Sequence, residues 1–211
     1  MSRLVDGVRH FRNAEHPKRS ELFTSLAGGQ SPNALFITCS DSRVNPVLLT
    51  NAEPGDLFVV ENAGNIVPSP GSPGGGGEHG TGGEAATLEY AVRALKVPEI
   101  IVCGHARCGA MGGLMSPESL ESLPLVADWL KHSASVRESV NAAHAAATPE
   151  EKVDAAIKAN VLLQLENLKL HDCVREAMAA GELTLGGWVY DFVSGDVIRW
   201  DESVGQWVEL A

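Results

Sequence analysis

The chain has 211 residues, 44% hydrophobic and 20% charged, a balance that suits a folded globular protein and excludes an intrinsically disordered one. Its 16 basic against 27 acidic residues give a formal charge of −11, which argues against nucleic acid or an anionic membrane as partner, because both repel such a surface. No stretch approaches the roughly 20 apolar residues of a membrane helix, and Met1–Gly7 opens no secretory signal, so one domain over residues 1–211 and a cytoplasmic location are expected.

The first residues, about 1–30, read as a helical arm suited to packing on a neighbouring subunit. Three short runs then stand out: Ala34–Thr38, Leu57–Val60 and Ile100–Cys103. Each is apolar without alternation, the habit of strands covered on both faces in a parallel sheet. Between the last two, Glu84–Lys96 sets Leu88, Ala91, Val92 and Leu95 at helical spacing. Glu89 and Arg93 sit one turn apart on its polar side, and Pro98 ends it. The resulting strand–helix–strand unit predicts an α/β fold, a parallel sheet with a mixed edge flanked by helices.

The glycine-dense stretch Pro68–Gly83 has no lysine, so it lacks the ending of a phosphate-binding loop and reads as a surface loop. From about 120 to 211 the chain turns helical and then extended. Leu125–Ala147 is alanine-rich, and Glu150–Leu170 aligns Val153, Ile157, Val161, Leu165 and Leu168 on one face. Asp172 reads as the N-cap of a short helix to Ala180. Leu183–Phe192 and Asp196–Trp200 read as strands around a Ser194-Gly195 turn, with Trp188 and Trp200 as packing residues.

The four cysteines, Cys39, Cys103, Cys108 and Cys173, are too few for a disulfide framework, and a reducing compartment favours metal or catalytic use. Cys39 ends the first run and opens Cys39-Ser40-Asp41-Ser42-Arg43. His105 and Cys108 follow the third, inside Gly104-His105-Ala106-Arg107-Cys108-Gly109. The carboxyl ends of parallel strands are where loops converge on a site. Two thiolates and an imidazole meeting there would suit one Zn²⁺ per chain, with the fourth tetrahedral position left for water, as in catalytic zinc sites. A cysteine is more often a small buried hydrophobe, which is how Cys103 and Cys173 read. The shared location of the other three, beside Asp41 and Arg43, is what lifts them above that background.

The string Cys39-Ser40-Asp41-Ser42-Arg43-Val44, with Gly104-His105-x-x-Cys108-Gly109, resembles the β-class carbonic anhydrases. So do Glu53-Pro54-Gly55-Asp56-Leu57-Phe58-Val59-Val60, Asn62-Ala63-Gly64-Asn65 and Glu89-Tyr90-Ala91-Val92. The resemblance extends from about Leu22 to Asp191. It implies a homodimer, or a larger oligomer built from dimers, that reversibly hydrates CO2 to bicarbonate and a proton. Cys39, His105 and Cys108 would hold zinc, and a zinc-bound hydroxide would attack CO2, oriented by Asp41 and its partner Arg43. Gln30, Phe58, Ala63, Tyr90 and Gly109 match positions around the substrate.

In the family's closed state the aspartate becomes the fourth ligand, so Asp41 could do this once Arg43 released it. Members favouring that state carry a tryptophan and an arginine where this chain has Phe36 and the segment Val60-Glu61-Asn62. An open site, insensitive to bicarbonate at mildly alkaline pH, is therefore expected. His79 is a candidate proton shuttle, although a loop histidine is more often simply solvated. Two rival readings are a hydrolase of carbonyl sulfide or carbon disulfide on the same fold, and a non-catalytic, zinc-stapled interaction protein.

Overall fold

A computed structural model describes residues 2–72 and 82–210. The chain begins with α1 (Arg3–His10), a π-helical turn (Phe11–Glu15), a 3-10 turn (Pro17–Arg19) and α2 (Ser20–Leu26), and none of these buries a residue. There follow β1 (Ala34–Cys39), α3 (Pro46–Thr50), β2 (Leu57–Asn62), α4 (Gly83–Glu89) with a π-helical turn (Tyr90–Ala94), and β3 (Glu99–His105). Next come α5 (Gly109–Met115), α6 (Pro124–Trp129), α7 (Ala134–Ala143), α8 (Pro149–Leu170) and α9 (Asp172–Ala179). The chain closes with β4 (Thr184–Tyr190), β5 (Val197–Asp201) and β6 (Gln206–Glu209).

The six strands form one sheet in the order β2-β1-β3-β4-β5-β6. The first three pairings are parallel and the last two antiparallel, which is the mixed-edge arrangement expected from the sequence. From β1 the chain steps to one side for β2 and to the other for β3. The strand order therefore reverses between β1 and β3, and in open α/β sheets that reversal opens a crevice at the carboxyl ends of the strands.

The core explains the helix positions. Leu35, Ile37, Ile100 and Val102 from the sheet pack with Leu88, Ala91, Ile157, Val161 and Leu168 from the helices. α8 lies directly on β3 and β4, since a Cβ on Gly104 would meet Val161 Cγ2 at 2.9 Å and one on Gly187 would meet Val161 Cγ1 at 3.0 Å. Its start is fixed by a capping box between Thr148 and Glu151 and by Pro149 at the first turn.

Three expectations change in detail, and one strand is new. β1 is buried throughout and β3 nearly so, but β2 exposes Val59 and Glu61 because it is the edge strand. The helix expected over Leu125–Ala147 breaks into α6, a 3-10 turn (Leu130–Ser133) and α7, with the buried Ser133 hydroxyl turned inward to Asn160 at the break. His171, not Asp172, occupies the N-cap of α9, and Asp172 instead supplies negative charge to its first turn. β6, a short edge strand, completes the antiparallel corner, where Trp207 packs edge-on against Trp200 at 5.7 Å. Among the described residues no helix is long and apolar enough to cross a membrane. His79 and most of the glycine-dense stretch lie outside the described residues.

Candidate metal centre

Cys39 is the last residue of β1 and His105 the last of β3, and the two strands run parallel with Thr38 opposite Cys103. Register therefore brings the ends of both strands to the crevice at the strand reversal. Cys108 follows after a tight turn in which Arg107 takes a left-handed conformation (φ 54°), and it is the N-cap of α5. The three donor atoms lie within 4.8 Å of one another, and all three residues are buried. The two sulfurs are 4.0 Å apart. Tetrahedral zinc with two thiolates at its usual bond length needs about 3.8 Å between them, so the pair is already spaced for such an ion.

The imidazole is prepared in the same way. His105 Nδ1 sits 2.9 Å from the Ala106 carbonyl, an acceptor, so this nitrogen carries the proton. Nε2 is left with its lone pair, buried and without a hydrogen-bond partner. A buried acceptor without a partner is costly, and one aimed at two sulfurs fits a metal ligand whose tautomer is fixed from behind.

The thiols also interact. The hydrogen bond between Cys39 and Cys108 is the largest influence holding the Cys39 thiol well below the usual cysteine range, and the Gly64 N–H acts in the same direction. Cys108 is pushed up, first by that same contact and then by burial. Together the pair loses one proton readily and resists losing the second. A divalent cation between the sulfurs removes that resistance, because each thiolate then faces positive charge. The Gly64 amide donates to Cys39 Sγ at 3.4 Å.

Asp41 and Arg43 border this set. Arg43 Nε donates to Asp41 Oδ1 at 2.8 Å, its NH2 nitrogen to Oδ2 at 2.7 Å, and its backbone N–H to Oδ1 at 3.0 Å. The guanidinium contact holds the Asp41 carboxyl well below the usual carboxylate range. Asp41 Oδ2 in turn stands 3.8 Å from His105 Nε2. The Arg43 guanidinium lies over the Phe192 ring at 4.2 Å and also reaches the Arg107 carbonyl at 3.3 Å.

The remaining sequence candidates divide into two groups. Ala63 adjoins Gly64 in the turn after β2, close to Cys39. Gly109 opens α5 beside Cys108 and lines a hollow of about 550 Å³ with Arg107, Asn141 and Lys152. By contrast, Gln30 precedes β1 and is exposed. It lies beyond the opposite end of that strand from Cys39, and Ala34 to Cys39 alone spans roughly 17 Å at the usual rise per residue. Phe58 pairs with Leu35 near the same far end, and its ring meets that of half-exposed Tyr90 at 5.9 Å. One chain therefore does not bring Gln30, Phe58 and Tyr90 to the metal ligands. Phe36 is buried against Trp188, and Glu61 is exposed on β2.

Several contributors carry no motif. The Ala106 carbonyl and the Gly64 amide act through backbone, which sequence patterns do not report. Phe192 reads as one more apolar residue at a strand end. Asn160, Gln164 and Asn167 did leave a trace, polar amides on the arc of α8 that otherwise holds its apolar face.

A family model described as carbonic anhydrase matches residues 34–197. The whole chain is 48% identical over 211 residues to a carbonic anhydrase of Pseudomonas aeruginosa, covering 92% of that protein. Among solved structures, the β-carbonic anhydrase CcaA matches with a TM-score of 0.93 at 42% identity, covering 99% of this chain and 91% of the other. A β-carbonic anhydrase of Sordaria macrospora, described as tetrameric, matches with a TM-score of 0.81 at 29% identity, covering 97% and 96%.

Proposed function

The chain belongs to the β-class carbonic anhydrases, and from that premise we propose that it hydrates CO2 reversibly to bicarbonate and a proton at a zinc ion held by Cys39, His105 and Cys108. The observation that carries this reading is the convergence of three buried donor atoms within 4.8 Å, one of them an imidazole nitrogen with no other partner. Zinc bound there supplies an acidified water that is nucleophilic near neutral pH.

The chain's own residues orient the reaction. Asp41 accepts a hydrogen bond from the nucleophile and turns its lone pair toward the substrate carbon; the carboxylate's closeness to His105 Nε2 supports this role. Arg43 keeps Asp41 ionised and off the ligand set, and its paired contacts with both carboxylate oxygens support an open site. CO2 has no charge to recognise, so apolar walls and a few directed donors suffice. Ala63 and the Gly109 N–H serve from the same chain. Gln30, Phe58 and Tyr90 serve from a second copy, a reading supported by their distance from Cys39 within one chain.

A dimer, or a larger assembly of dimers, follows from the same reading. The N-terminal arm buries nothing of its own and exposes Leu4, Val8 and Phe11, while β2 offers an unpaired edge. A cytoplasmic setting suits the four free cysteines. Stopped-flow turnover of CO2, compared with carbonyl sulfide and carbon disulfide, tests the substrate. CO2 should be strongly preferred, and faster consumption of either sulfur compound would overturn the proposal.

A further inference from the structure

The Gly64 amide that donates to Cys39 belongs to the peptide unit joining Ala63 to Gly64, and that unit is held from its other side. Trp129 Nε1 donates to the Ala63 carbonyl at 2.8 Å. A peptide is planar, with its C=O and N–H pointing in opposite directions, so fixing the oxygen fixes the direction of the N–H. The next carbonyl, that of Gly64, accepts from Asn160 Nδ2 at 2.9 Å. Asn160 cannot turn its amide over, because its Oδ1 already accepts from Ser133 Oγ at 2.8 Å and from Gln164 Nε2 at 2.9 Å. Farther along the loop, the Val67 N–H donates to Gln164 Oε1 at 2.9 Å, and Asn167 Nδ2 donates to the Val67 carbonyl at 2.8 Å.

Three amides buried in the apolar face of α8 are costly unless fully partnered, and here they are spent on one loop. Gly64 itself has no room to adjust: φ is +84°, and a Cβ would meet Met111 Cε at 3.1 Å and Ala110 Cβ at 3.2 Å.

We propose that Trp129 and Asn160 are positioning residues for the metal centre: clamping the carbonyls on either side of Gly64, they aim its N–H at Cys39 Sγ and so set how strongly that sulfur holds the metal. This inference rests on the zinc site proposed above. Hydrogen bonds behind a ligand commonly change metal affinity by about 10–100-fold.

The test compares wild type with Trp129→Phe, which keeps a ring and removes only the donor, and with Asn160→Leu. Asn167→Leu serves as the control, since it loses a buried amide on the same helix at a contact three residues beyond Gly64. Zinc affinity is read by competition with a chromophoric chelator, and the cysteine–metal bond by the sulfur-to-cobalt charge-transfer band of the cobalt-substituted protein. Trp129→Phe and Asn160→Leu should weaken zinc about tenfold and shift the band, while Asn167→Leu lowers thermal stability and leaves both unchanged. Should Asn160→Leu not fold, Trp129→Phe decides alone. Wild-type affinity and an unmoved band in Trp129→Phe, or equal changes in Asn167→Leu, would overturn the inference while leaving the zinc site standing. A wild-type chain that binds no zinc would instead overturn the reading beneath it.

Discussion

Asp41 Oδ2 stands 3.8 Å from His105 Nε2 while both of its carboxylate oxygens are engaged by Arg43. To enter the ligand set, Asp41 must give up a two-pronged contact whose arginine is itself anchored on the Phe192 ring and the Arg107 carbonyl. By the family resemblance of the sequence, Phe36 and Glu61 stand where members expected to close their site carry tryptophan and arginine. Activity should therefore be insensitive to added bicarbonate at mildly alkaline pH, as read by CO2 hydration at rising bicarbonate. Steep inhibition, with Asp41 found on the metal by crystallography, would contradict this.

Asp41→Asn keeps the shape of the side chain and removes its charge. It should fold and retain metal, with kcat reduced by about 10²–10³-fold, the usual cost of losing one oriented polar group at a reacting centre. Arg43→Lys should also lose activity despite conserving charge, because an ammonium cannot make the paired contact. Wild-type turnover in Asp41→Asn would remove Asp41 from the mechanism.

His171 offers a test of stability against pH. Burial lowers its pKa from the ordinary 6.5, and its Nε2 lies 3.0 Å from the Pro68 carbonyl, so the folded ring is neutral with its proton on Nε2. The unfolded chain takes up a proton more readily, so the stability from neutral His171 is complete above 6.5 and is lost as the pH falls toward its lowered folded-state value. The Tm advantage of wild type over His171→Gln should be constant above pH 6.5 and narrow as the pH falls below it. A gap that widens on acidification would refute the assignment.

The exposed apolar face of α1 predicts self-association. Leu4 and Val8 are 80% and 67% exposed, one turn apart. Replacing both with serine should shift the solution mass, measured by light scattering after size exclusion, toward smaller species. An unchanged mass, or a monomeric wild type, would count against the arm as an interface.

What the sequence made legible follows from where the information sits. The apolar runs at Ala34 and Ile100 announce buried strands, and β1 and β3 form there. Their final residues, Cys39 and His105, meet because the strands are neighbours in the sheet, a pairing that local pattern only suggests. β2 reads like a buried strand yet sits at an edge, because burial on its outer side belongs to tertiary or quaternary context and not to composition. The broken helix around Ser133 and the N-cap at His171 were hidden for a related reason, since a serine facing Asn160 and a histidine facing Pro68 are long-range contacts. The support around Gly64 is invisible for a simpler one: it is made of backbone N–H and C=O groups, which every residue carries.

Metal stoichiometry measured alongside CO2 hydration on the same purified sample bears most directly on the account. One zinc per chain is predicted, with activity abolished by a strong chelator and restored by adding back zinc alone. A chain that hydrates CO2 at full rate after the metal has been removed would contradict it.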